Sequence, residues 1–206
     1  MTPLVSFIMP ARNGAAYIAG AVESLIGQEF RDWELVVVDD RSTDETPAIV
    51  SSLAASDPRI RLERSPGAGQ VQALNHGFRS VSGRYLKTID CDDLVHPSFS
   101  RHVDELTSAE ATVHQAFLLD DGTGRMRRFV VPGVFVRMTL RQALGRVRIS
   151  PPRWSWTISM DLARKIFPLP PDLPPVHEDV FYGLRIKKHA ASMAYVPEPL
   201  YVYRQH

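Results

Sequence analysis

The run Glu34-Leu35-Val36-Val37-Val38-Asp39 constrains this chain more than any other feature of it. Four consecutive large aliphatic residues leave no polar face for water. The strand they form must therefore be buried on both sides, as in parallel sheets covered by helices. A second such run, Val5-Ser6-Phe7-Ile8-Met9, ends at Pro10. Between the two lies Ala15 to Gln28, where Ile18, Val22, Leu25 and Ile26 recur at helical spacing. The alternation continues with a helix over 44–55, a short strand over 59–63, a helix over 70–81 and a strand over 85–90. Elements in this order predict an α/β fold, a doubly wound, mostly parallel sheet with helices on both faces. Such sheets bind ligands beyond the carboxyl ends of their strands. Asp39, Asp40, Asp90 and Asp92 all fall there.

The second half is less regular. Helices are expected over 96–107, 140–145, 160–167 and 178–190, with strands at 193–196 and 200–203. Residues 112–119 and 127–131 flank Asp120-Asp121-Gly122-Thr123-Gly124, which reads as a hairpin turn. Five prolines among residues 168–175 require an extended loop. With 206 residues and no internal repeat, one domain over 1–206 is expected, with a ligand-binding half over 1–95 and a second half over 96–206. The composition, 44% hydrophobic and 23% charged, excludes disorder. A single cysteine, Cys91, excludes a disulfide framework and a cysteine-rich zinc site. No apolar run reaches the length of a membrane span and no signal peptide is recognisable, which together read as a cytoplasmic protein. The net charge of +1 hides an asymmetry: Gly122 to Met160 holds eight arginines and no Asp, Glu or Lys. Such separation suggests an acidic region able to hold cations and a basic region facing something anionic.

The residue types at the strand ends carry the chemistry. Along an extended strand end, Asp90 and Asp92 of Asp90-Cys91-Asp92-Asp93 point the same way. Two carboxylates this close are stable with a cation beside them, and oxygen ligation favours Mg²⁺ or Mn²⁺. Cys91 then points away from the acids into a small buried slot. Asp39 or Asp40 can accept hydrogen bonds from a nucleobase imide or ribose hydroxyls. Asn13-Gly14 reads as a turn that lets the backbone approach a ligand. Trp154-Ser155-Trp156 puts two indoles on one side if extended, as a sugar-stacking surface or as core. The missing G-x-G-x-x-G excludes a dinucleotide fold.

These stretches, taken in order, resemble family 2 glycosyltransferases of the GT-A fold. The resemblance is carried by Val5 to Asn13, Trp33 to Asp44, Ala73 to Gly77, Ser82 to Tyr85, Asp90 to Asp93, His177 to Asp179 and the closing Tyr203 to His206. It implies a metal-dependent, inverting enzyme that moves a sugar from a nucleotide-diphosphate sugar, a UDP-sugar first, to a hydroxyl of a glycan or lipid-linked acceptor in cell-surface polysaccharide synthesis. It implies Asp179 as general base with Glu178 in support, and Mn²⁺ or Mg²⁺ held by Asp92 with Asp90 and His206. Pro10, Asn13, Asp39 and Asp40 would line the nucleotide, as would Gln70, Asn75, Asp90 and Cys91. The arginine-only stretch would face an anionic acceptor or the inner membrane surface through peripheral association. No nucleic-acid partner is expected. The alternative is a non-catalytic nucleotide- or glycan-binding domain that keeps the fold.

Overall fold

β1 (Val5–Ala11) and β2 (Trp33–Asp39) run side by side and parallel, in a register that sets Phe7 against Leu35 and Ala11 against Asp39. Every residue of both strands is buried, as their unbroken apolar runs require. The computed structural model describes residues 2–129, 151–173 and 178–206. The expected helix over 140–145, four of the eight arginines (Arg137, Arg141, Arg146, Arg148) and His177 lie outside the described residues.

β3 (Ile60–Arg64) and β4 (Tyr85–Thr88) extend the parallel sheet on either side, in the order β3-β2-β1-β4. The connections are α1 (Ile18–Ile26), α2 (Thr46–Ser56) and α3 (Gln70–Ser80). Strand alternation divides the core between two faces. Val5, Phe7, Met9, Leu35 and Val37 pack with α1 and Val50 of α2, whereas Ile8 packs with Val71 and Leu74 of α3. Val36 and Val38 meet Ala73 on that same helix.

Beyond β4 the sheet is mixed. It continues through β8 (Trp156–Ser159), β6 (Ala111–Asp120), β9 (Met193–Gln205) and β5 (Leu94–Val95), and β7 (Arg125–Phe129) pairs with β6. Among the described residues of this half only β6 and β9 pair in parallel. The expectation of a mostly parallel sheet therefore holds for the first four strands and is corrected for the rest. The physical reason is connection length. Four residues separate β6 from β7, which permits an antiparallel return but no crossover. The two strands expected near the C-terminus are one long strand. Pro197 and Pro199 sit where a register irregularity opposite His114 and Gln115 relieves the ladder. The segment over 96–107 is a 3₁₀ turn, Pro97–His102, followed by the short α4 (Val103–Leu106). α5 (Met160–Ile166) and α6 (Glu178–His189) pack against each other and place the acidic start of α6 beside the sheet. Among the described residues no helix is long and apolar enough to cross a membrane.

Candidate active site

Two clefts open at the carboxyl ends of the parallel strands and share Gln70, Asp90 and Tyr203. The first, of about 480 Å³, is lined by Pro10, Ala11 and Arg12 from the end of β1, Asp40 after β2, Gly69 and Gln70 at the start of α3, and Asp90 to Asp92 after β4. Asp40 is buried, and its Oδ2 accepts the Gly69 N–H at 2.8 Å. Gly69 has φ +99°, a conformation that favours glycine, and it turns the chain into α3 so that the helix N-terminus faces the cleft.

The acidic triplet is a turn rather than a strand end, because β4 stops at Thr88. Alternation along a strand therefore does not orient Asp90 and Asp92; Cys91 borders the cleft, and its side chain packs against the core cluster of β1 and α1 beside Gly14. Burial and the neighbouring Asp92 push the Cys91 thiol up to about 12, so it stays protonated. Burial, followed by the charge of Asp90, also raises the Asp92 carboxyl above its ordinary value. His206 Nε2 lies 3.8 Å from Asp92 Oδ2, and its ring stacks on Tyr17 at 4.8 Å. Asp93, almost fully buried, accepts the Arg204 N–H at 2.7 Å and is pushed up to about 8 by burial and by Asp90. It thereby ties the turn to the strand that carries His206.

The second cleft, of about 350 Å³, adds Phe129, Pro152, Arg153, Trp154, Glu178 and Asp179. Burial raises both carboxyls at the start of α6. Glu178 reaches about 7, with the Arg153 charge opposing, and Asp179 is raised in the same sense. Asp179 Oδ1 accepts the Arg153 N–H at 2.9 Å. Arg153 itself is buried, and its Nη2 donates to Asp90 Oδ1 at 2.5 Å. Burial alone would make that guanidinium less basic, but the carboxylates of Asp90, Glu178 and Asp179 outweigh it and keep it charged. Trp154 stacks on Tyr201 with ring centroids 4.7 Å apart and on Tyr203 at 5.8 Å.

Several expected site residues have other partners. Asp90, expected beside a metal, is paired with Arg153. Asn75, expected at the nucleotide, is buried, and its amide exchanges both of its hydrogen bonds with the Leu169 backbone at 2.8 and 2.7 Å. It holds the proline-rich loop against α3. Asn13 adopts φ +51° and spends its side-chain oxygen on the Thr43 N–H at 2.8 Å, which fixes the turn after β1. Asp39 accepts the Ser42 N–H at 3.1 Å and lines a separate hollow with Ser42, Pro47, Leu62, Glu63 and Arg64. The two indoles do not share a surface. A 3₁₀ turn at Arg153–Ser155 breaks the extension, so Trp154 and Trp156 join different core clusters.

Sequence reasoning missed Arg153, Tyr201 and Tyr203. Arg153 reads as one more member of the arginine-only stretch, although its setting between Pro151-Pro152 and Trp154 is apolar. Tyr201 sits in an ordinary strand pattern with nothing local to mark it, and Tyr203, which opens the closing stretch that carries the resemblance, has no role implied there.

The sequence model described as glycosyl transferase family 2 matches residues 6–152. The chain is 28% identical to EpsH of Bacillus subtilis over its whole length, covering 62% of that protein. It is 41% identical over 110 residues to the succinoglycan biosynthesis protein ExoO of Rhizobium meliloti, covering 52% of this chain and 30% of that one. Among solved structures, TarS 1–349 of S. aureus in complex with UDP-GlcNAc matches 98% of this chain and 59% of its own, with TM-score 0.77 and 21% identity. The mannosyltransferase PcManGT of Pyrobaculum calidifontis, in complex with GDP-Man and Mn²⁺, matches 98% and 57%, with TM-score 0.71 and 20% identity. The fold is the GT-A arrangement of these structures. The chain spans between a tenth and about three fifths of the curated relatives it matches.

Proposed function

Since the chain belongs to glycosyl transferase family 2, we propose that it transfers a sugar from a nucleotide-diphosphate sugar to a hydroxyl of a glycan or lipid-linked acceptor, with inversion. The carrying observation is that the two clefts meet at Asp90, with the raised carboxyl of Asp179 on the far side of the junction from Asp92 and His206. Donors of the UDP and GDP type suit the first cleft, by analogy with the ligands of TarS and PcManGT. The diphosphate would lie at the N-terminus of α3, where free backbone N–H groups and Gln70 favour negative charge. The nucleobase would reach the hollow beside Asp39.

A divalent cation fits Asp92 and His206: one carboxylate and one imidazole lie within reach of each other, and the raised Asp92 carboxyl gains from a positive neighbour. Among the described residues no three His, Cys, Asp or Glu groups are placed to hold an ion by themselves, so donor phosphate oxygens would complete the coordination. When bound, the ion neutralises charge on the departing diphosphate. Asp179 takes the proton of the acceptor hydroxyl as that oxygen attacks the anomeric carbon. The bond from that carbon to phosphate breaks on the opposite face, and its electron pair leaves with the nucleotide diphosphate. Glu178, almost fully buried and raised to about 7, is partly protonated at neutral pH and supports rather than replaces Asp179.

The acceptor enters over Phe129, Trp154 and Tyr203. Arg125 and Arg127 continue outward from Phe129 along β7 and are exposed, which suits an anionic part of a lipid-linked or polysaccharide acceptor, or the membrane surface that holds it. The name of ExoO supports a place in polysaccharide synthesis. A non-catalytic binding domain would have no use for Asp179 at the junction. The test is a thermal-shift panel of UDP and GDP with and without Mn²⁺, followed by donor consumption. At a hundredfold excess over Kd, the matching nucleotide should raise the midpoint by about 5–10 °C. No shift with any nucleotide diphosphate would overturn the reading, and binding without donor turnover would favour the non-catalytic alternative.

A further inference from the structure

The single turn Arg153–Ser155 joins three separate parts of the molecule. An arginine in an acid-free basic stretch belongs at the surface, yet Arg153 is only 2% exposed. Its Nη2 donates to Asp90 Oδ1 in the turn after β4, and its Nε lies 3.5 Å from Glu178 Oε1 at the start of α6. Its peptide N–H holds Asp179 Oδ1. The next carbonyl, of Trp154, accepts from Lys87 Nζ of β4 at 2.5 Å. Lys87 also donates to Nε2 of His114 at 2.7 Å, since Nδ1 of that ring must carry the proton it gives to the Gln115 carbonyl. Lys87 and His114 are fully buried, and the proposed reaction uses neither.

Ion pairs that leave water gain little net stability over apolar packing of the same volume. Stability is therefore a weak account of a buried arginine that lines the second cleft and pairs with Asp90, which the two clefts share. We infer that Arg153 is a positioning residue: its guanidinium ties the Asp90 turn of the donor cleft to the N-terminus of α6, so that Asp179 stands at a fixed place relative to the donor. The inference rests on the glycosyl-transfer reading. Any residue but proline at position 153 keeps the N–H that holds Asp179. What the guanidinium adds is a fixed place for that N–H, set from the donor side through Asp90 and from below through Lys87 and the Trp154 carbonyl. Misplacing reacting groups by about 1 Å lowers a rate by about a hundredfold.

The test compares Arg153→Met and Arg153→Lys in the full chain by three readouts: nucleotide binding by calorimetry, donor turnover, and amide exchange at Tyr182 and Gly183. These are among the first α6 amides with acceptors inside the helix. Arg153→Met should leave the Kd for UDP or GDP within about threefold while kcat falls about a hundredfold. Arg153→Lys should recover about tenfold of that loss, because an ammonium can pair with Asp90 but cannot bridge to Glu178. Exchange at Tyr182 and Gly183 should quicken about tenfold or more, with β1 and β2 unchanged. If Arg153→Met does not fold, Arg153→Lys keeps the buried charge and carries the comparison. A folded variant that retains kcat within about twofold, or that loses nucleotide affinity in step with kcat, overturns the inference. If the wild-type chain turns over no nucleotide sugar, the transfer reading fails separately, and unchanged exchange in α6 alone then overturns the tether.

Discussion

Replacing Gly77 by alanine sets two opposed effects against each other on one helix. Gly77 lies inside α3, so alanine improves helix propensity by about 1 kcal/mol. The new Cβ, however, would sit 2.6 Å from Ile8 Cγ2, 3.1 Å from Val38 Cγ2 and 3.4 Å from Ile8 Cγ1. Ile8 and Val38 are fully buried and β-branched, with little freedom at χ1, and they stand in two central strands that cannot move apart. Ordinary contact begins near 3.4 Å, so α3 must retreat by about 0.8 Å from the sheet. Overpacking of this kind costs about 2–3 kcal/mol, which exceeds the propensity gain and leaves a net loss of about 1–2 kcal/mol. For a chain of this size the midpoint should fall by about 3–6 °C. Because α3 begins with Gln70 in both clefts, nucleotide affinity should weaken along with stability. Thermal and urea unfolding of the wild type and Gly77→Ala supply the comparison. Adding Ile8→Ala, which removes the opposing methyl, should cost less than the sum of the two single changes. An unchanged or higher midpoint in Gly77→Ala would refute the packing argument, because propensity would then have won.

Three other outcomes are expected. Asp179→Asn keeps an oxygen to accept the Arg153 N–H, so the fold and donor binding should persist while turnover falls by about two orders of magnitude or more; activity retained there and lost in Glu178→Gln would transfer the role of base to Glu178. Asp92→Asn should abolish the Mn²⁺ dependence of nucleotide binding measured by calorimetry, and an unaltered metal response would remove Asp92 from the metal site. Burial pushes the Glu34 carboxyl up, but hydrogen bonds from Ser6 and Ser82 and the charge of Arg61 outweigh it and hold it below its ordinary value. Its contribution is thus complete above the ordinary glutamate range and is lost as pH falls through the lowered value. The stability gap between wild type and Glu34→Gln should accordingly shrink as pH falls through and below the ordinary glutamate range; a constant gap would show that ionisation of Glu34 contributes nothing.

What the sequence determined by itself is the parallel core. Leu35 to Val38 and Phe7 to Met9 admit no polar face, so both strands had to be buried twice over, with helices supplying the covers. That alone put Asp40, Asp90 and Asp92 at one sheet edge, and the acidic start of α6 was marked by helix periodicity and composition. Local pattern could not determine the partners. A strand pattern ends with residue-level uncertainty, and here β4 stops at Thr88, which converts the acidic triplet into a turn and cancels the alternation argument. Asn75 and Arg153 read as polar residues available to a ligand because sequence carries no record of Leu169, Asp90 or Glu178 arriving from 94, 63 and 25 residues away. Long-range hydrogen bonds and ion pairs form between groups that only the packed sheet and helices bring within 3 Å or so. Tertiary structure alone therefore decided which carboxylates face a cleft, which are paired, and that an arginine from the most basic stretch of the chain lies buried among acids.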